Sequence, residues 1–113
     1  MENINIQECT VHKIVHTVDL TKIYLKDYSS SNTKKIVLLS SLICFENVVD
    51  ILELDRLLIR PCTISSYGLF VCEINNLIPE EFKEIIFFSI NNSVVLKGVT
   101  KNCAIRDYNS EID

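Results

Sequence analysis

Ser65-Ser66-Tyr67-Gly68-Leu69-Phe70-Val71-Cys72-Glu73-Ile74 decides the expected fold. Gly68 tolerates positive φ, and the residues after it are bulky or β-branched, so the stretch reads as a tight turn entering a strand. Pro61-Cys62-Thr63-Ile64-Ser65 reads as the mate strand, closed by a Ser66-Tyr67-Gly68 loop. That register sets Ile64 opposite Phe70 and Cys62 opposite Cys72, with Cys62, Ile64, Phe70, Cys72 and Ile74 on one apolar face.

Upstream, Glu46, Asp50, Glu53, Arg56 and Arg60 recur at steps of three and four. They predict a helix over Asn47–Arg60, with Asn47 as N-cap, acids leading, arginines trailing and Pro61 as the stop. Downstream, Pro79-Glu80-Glu81 suits a first helical turn. Phe82, Ile85, Ile86, Ser89 and Ile90 then follow at amphipathic helical spacing. The same residues admit a second reading, in which Ile85–Ile90 is a strand paired through Asn91-Asn92 with Ser93–Val99.

Lys35–Cys44, with Ile36-Val37-Leu38-Leu39 inside it, reads as a buried strand. Thr21–Tyr28 alternates, Ile23 and Leu25 against Lys22, Tyr24 and Lys26, and is a second strand. Val11, Ile14, Val15 and Val18 have helical spacing in β-branched residues, so helix and strand both stay open there. Residues 1–7 read as a loose arm and residues 102–113 as a polar tail.

The chain has 113 residues, 48% of them hydrophobic, and a net charge of −4. One domain with its own core is expected: an extension over 1–33, a core over 34–100 and a tail over 101–113. Sparse Gly, Pro and Ala beside abundant Ile and Asn is the usage of an AT-rich genome, as in a virus, a parasite or an AT-rich microbe. No apolar run reaches the roughly 18 residues of a membrane helix, and no signal-peptide pattern opens the chain. Five cysteines without a C-x-x-C pair fit reduced thiols, so an intracellular, cytoplasmic or nuclear, location is expected.

The order strand–helix–strand–strand–helix–strand predicts an α+β fold, a four-stranded antiparallel sheet with two helices on one face. Lys35-Ile36-Val37-Leu38-Leu39-Ser40-Ser41-Leu42 is similar to the first-strand motif of the RNA-recognition-motif family, and Ser66–Val71 to its third-strand motif. The resemblance covers residues 35–99 and implies a ferredoxin-like βαββαβ domain. It also implies base-stacking aromatics on the open sheet face. Here Val37, Leu69 and Cys72 stand at aromatic positions, Ser65 replaces the basic residue, and only Tyr67 keeps an aromatic.

The expected open face therefore carries Val37, Leu39, Leu69, Val71, Val95 and Lys97, apolar and poor at stacking. It suits a non-catalytic interaction module, an adaptor or subunit of a larger assembly, with a protein partner or a second copy. The alternative is a single-stranded RNA binder using Tyr67, Tyr24, Lys34 and Lys35. His12 and His16, four apart, lack further ligands for a metal, and no cofactor motif is present. No nucleophile motif or carboxylate pair points to an enzyme.

Overall fold

A computed structural model describes residues 2–42, 44–47, 53–62 and 82–113. Nine strands and no helix occur among them. In chain order they are β1 (Glu2–Asn5), β2 (Cys9–His16), β3 (Leu20–Asp27), β4 (Thr33–Ser40), β5 (Cys44–Asn47), β6 (Leu54–Pro61), β7 (Lys83–Ser89), β8 (Val94–Thr100) and β9 (Asn102–Asp107). They form two antiparallel sheets, one in the order β1-β6-β7-β8-β5 and the other β2-β3-β4-β9.

This corrects the α+β expectation and the ferredoxin-like βαββαβ order with it. Of the helices expected over Asn47–Arg60 and from Pro79 to Ile90, the described parts include Leu54–Pro61 and Lys83–Ser89, and both are strands inside one sheet. The second reading of residues 85–90 holds, since β7 and β8 are a hairpin turned by residues 90–93. Asn92 takes a φ of 64° there, and its amide donates to the Ser89 carbonyl at 2.9 Å. Residues 2–5 and 102–107, expected as an arm and a tail, are edge strands. The Ser65–Ile74 hairpin lies outside the described residues.

The strand at Leu20–Asp27 agrees with the one expected over Thr21–Tyr28. The one expected over Lys35–Cys44 instead runs Thr33–Ser40, and Cys44 opens β5 in the other sheet. The inner residues show why both are strands. Ile23 and Leu25 of β3 and Val37 and Leu39 of β4 point into one core. Leu57 and Ile59 of β6, Ile85 and Phe87 of β7, and Val95 and Leu96 of β8 enter it from the other sheet. The two inner faces thus share one apolar layer, a β-sandwich.

Bulges disguise this pattern in the sequence. The β2–β3 register shifts between Val11 and Lys13, so Val11 and Ile14 both pack on the core although three residues apart. The β6–β7 register shifts between Leu54 and Arg56, and Leu54 and Leu57 both face inward for the same reason. One extra residue turns a spacing of two into three, which imitates a helix. In β7 the alternation vanishes differently: Glu84, Ile85, Ile86 and Phe87 are all buried, because this central strand is covered on both faces.

The sheets are joined by a bent ribbon. β4 pairs with β9 up to Ser40↔Asn102, and the pairing resumes in the other sheet at Cys44↔Val99. At the bend Ser41 has a φ of 54°. The buried Thr100 hydroxyl lies 2.6 Å from the Ser40 carbonyl and 3.1 Å from that of Asn102, and the Lys101 amide also donates to Ser40.

Three substitutions test this packing. Phe87→Ala should cost about 3–5 kcal/mol, whereas Val18→Ala, at a fully exposed position, should change stability by under about 0.5 kcal/mol. Thr100→Val keeps the shape and removes the hydroxyl, and should cost about 1–3 kcal/mol. Urea unfolding followed by far-ultraviolet circular dichroism measures all three.

Candidate functional site

Most of the residues expected on an open face do not share one. Val37 and Leu39 are fully buried in the core from one sheet, and Val95 enters it from the other. Lys97 lies on the outer face of the five-stranded sheet, 3.6 Å from the Glu46 carboxylate. Leu69, Val71 and Tyr67 lie outside the described residues.

The structure assembles a different surface, the outer face of β2-β3-β4-β9. Pairing registers place Lys13, Tyr24, Ile36 and Arg106 in one cross-strand row, and Val15, Lys22, Leu38 and Ala104 in the next. These positions alternate with the core-facing residues, so the strand geometry that buries Ile23 and Val37 turns these rows outward. Val15 and Ala104 are exposed, and Lys22 and Leu38 are half-buried. Lys13, Lys22 and Lys26 make no ion pair among the described residues, while Lys34 lies 3.8 Å from Asp27 and Lys35 3.0 Å from Asp107.

Two large side chains of the first row are nevertheless buried. Ile36 is fully buried and Tyr24 is 6% exposed. The Lys13 ammonium stands 4.6 Å from the Tyr24 ring centroid, a cation–π contact. The Tyr108 ring meets Tyr24 edge-on at 6.0 Å. The Tyr24 hydroxyl donates to the main-chain oxygen of Asp113 at 3.2 Å. Arg106 forms an ion pair with Asp113, whose side chain is 1% exposed and also accepts the Asn109 amide at 2.8 Å. Segment 108–113 therefore folds back over this row.

Other polar groups serve the fold. Arg60 donates through Nε to Glu84 at 2.8 Å and pairs with it through its terminal nitrogen, which satisfies a carboxylate buried on the outer face of the five-stranded sheet. His16 shares a hydrogen bond with Thr21 Oγ1 at 3.0 Å and packs edge-on against Phe45. Among the described residues no group of His, Cys, Asp and Glu could hold a metal ion. Glu8, Asp27, Tyr28, Ser29 and Glu53 line a cleft of about 250 Å³. Asp27 there accepts from the Ser29 amide and hydroxyl, and the amide foremost lowers its pKa.

Burial raises the Cys9 thiol and pushes Cys103 up to about 11. Cys62 is buried, and its expected cross-hairpin neighbour Cys72 lies outside the described residues. No helix among the described residues is long and apolar enough to cross a membrane. No family model, curated protein or solved structure matches the chain.

The sequence shows half of this surface. Lys22, Tyr24 and Lys26 already stand opposite Ile23 and Leu25 by alternation. Arg106 and its segment were missed because residues 102–107, read as a polar tail, hold only Cys103 and Ile105, both partly buried, as their core-facing signal.

Cys103 gives a pH test. Its thiol keeps the proton to about 11 when folded and loses it near 9.0 when unfolded. Unfolding then releases a proton between those values, so this contribution to stability is full below 9.0 and is lost as pH rises to about 11. In Cys103→Ala the fall in urea midpoint over that window should be shallower than in the unchanged chain.

Proposed function

We propose that the chain is a non-catalytic interaction module, an adaptor or subunit of a larger assembly, that binds a protein partner. The carrying observation is the row Val15–Lys22–Leu38–Ala104 beside Lys13 and Lys26, a basic and partly apolar face on a chain of net charge −4. Cations without a carboxylate partner among the described residues favour an acidic surface, and charge complementarity sets specificity and encounter rate. Val15, Leu38 and Ala104 add contact area that salt does not screen. An intracellular setting goes with this reading, and its support is five cysteines without a C-x-x-C pair.

Single-stranded RNA is the second reading, favoured by the same lysines with Lys34 nearby. Phosphate contacts would make such binding steeply salt-dependent. Tyr24 offers it little, since the ring is buried between Lys13 and Tyr108.

The deciding experiment is affinity purification with the unchanged chain and with Lys22→Glu, each with and without nuclease. Recovery of a protein that survives nuclease and is lost with Lys22→Glu is the expected result. Lys22→Glu should alter folding stability by under about 0.5 kcal/mol, so the loss reports the surface. Nuclease-sensitive recovery moves the assignment to RNA, and equal recovery by both proteins removes this face from the interface.

A further inference from the structure

The first row of the outer face holds a carboxylate that the chain itself supplies. Asp113 is acidic, nearly inaccessible, and met by three donors or cations at once: the Arg106 guanidinium, the Asn109 amide and, through its main-chain oxygen, the Tyr24 hydroxyl. Burying a carboxylate is unfavourable unless a cation and hydrogen bonds replace its water, and this position provides both. Tyr108 ties the start of the segment down, through its ring against Tyr24 and its amide on the Lys34 carbonyl. Beyond it the segment contributes little apolar anchoring, because Ile112 is 74% exposed and Glu111 is exposed, and the Ile112 and Asp113 amides close a local turn on the Asn109 carbonyl.

We infer that the Arg106–Tyr24 position is a recognition site for a carboxylate on an extended acidic segment of a partner polypeptide, and that Asp113 is its internal stand-in. This rests on the interaction-module reading and names the chemistry of its partner. Charge complementarity favours that occupant. Lys13 flanks the site in the same row and Lys22 lies in the next, both without a carboxylate of their own among the described residues. An extended segment laid over the face would place alternate side chains toward these cations, and its carboxylate would exchange with Asp113 like for like.

The probe is a fluorescein-labelled octapeptide of alternating glutamate and valine, titrated by anisotropy. Asp113→Ala should bind it about ten-fold more tightly than the unchanged chain, the gain expected when a site self-occupied about nine-tenths of the time is emptied. Arg106→Gln in the Asp113→Ala background should abolish that gain. In the unchanged chain, saturating peptide should shift the Arg106 Nε–Hε and Asp113 amide resonances together, a readout that needs no variant to fold. Equal or weaker binding by Asp113→Ala, insensitivity to Arg106→Gln, or peptide binding without those shifts overturns the inference. Tighter binding of a single-stranded oligonucleotide than of the peptide by Asp113→Ala also overturns it. If partner recovery still depends on Lys22 while the peptide fails, the module reading stands and this site alone is removed.

Discussion

The two-sheet arrangement depends on carrying one antiparallel ribbon around a corner without stranding its backbone. Three residues separate Ser40 from Cys44 on one arm, and two separate Val99 from Asn102 on the other. Ser41, at the start of the longer arm, takes a left-handed conformation with a φ of 54°. A carbonyl leaving the ladder at such a place must find another donor. Ser40 has two, the Thr100 hydroxyl and the Lys101 amide. Because the same ribbon pairs on both sides of the bend, this corner sets the register of β4 against β9 and of β5 against β8 together. The inner faces meet as a consequence.

The parts of the fold legible in the sequence are those where one face is dry, the other wet and no bulge intervenes. Thr21–Tyr28 comes near that condition: the extra residues of the bulges beside it stand in β2 and β4, so its own alternation is unbroken and gives both the strand and the outward set Lys22, Tyr24 and Lys26. Arg56 and Arg60 do not meet it. Four residues apart, they share a face in a strand as well as in a helix, so their spacing does not discriminate, and the bulge beside Leu54 supplies the misleading step of three. Residues 85–88 fail for another reason, since burial on both faces erases the period that separates strand from helix. The same limits govern the site. A row across four strands joins residues 13, 24, 36 and 106, and no local window contains that register.

The outer faces of the two sheets are used differently. On the five-stranded sheet Glu84 is buried with Arg60 as partner, Lys97 lies near Glu46, and Arg56 stacks 4.2 Å from the Phe88 ring centroid, so the cations there are engaged within the chain. On the four-stranded sheet Lys13, Lys22 and Lys26 face solvent without carboxylate partners among the described residues. Screening lengths of about 8–10 Å at physiological salt confine such a field to its own face. The molecule spans 43 × 33 × 22 Å, so a partner approaching that face meets cations although the whole chain is acidic. Net charge sets the field of the whole molecule, and its distribution sets what any one face attracts.

Tyr24 separates the polypeptide and RNA readings on energetic grounds. To stack a base it must release Lys13 from one side and Tyr108 from another. A cation–π contact contributes about 0.5–2 kcal/mol and an aromatic pair about 0.5–1.5 kcal/mol. Stacking a base returns about 1–3 kcal/mol, so the exchange is close to neutral and leaves no surplus for affinity. A carboxylate meets no such obstacle. It takes over the Arg106 and amide contacts that Asp113 already holds, and it leaves Lys13 in place over the ring. The gain then comes from contacts the internal segment does not make, Lys22 and the exposed Val15 in the next row. The geometry that occupies Tyr24 thus favours a ligand that leaves the ring covered, which is a property of an extended acidic polypeptide and not of a stacked nucleobase.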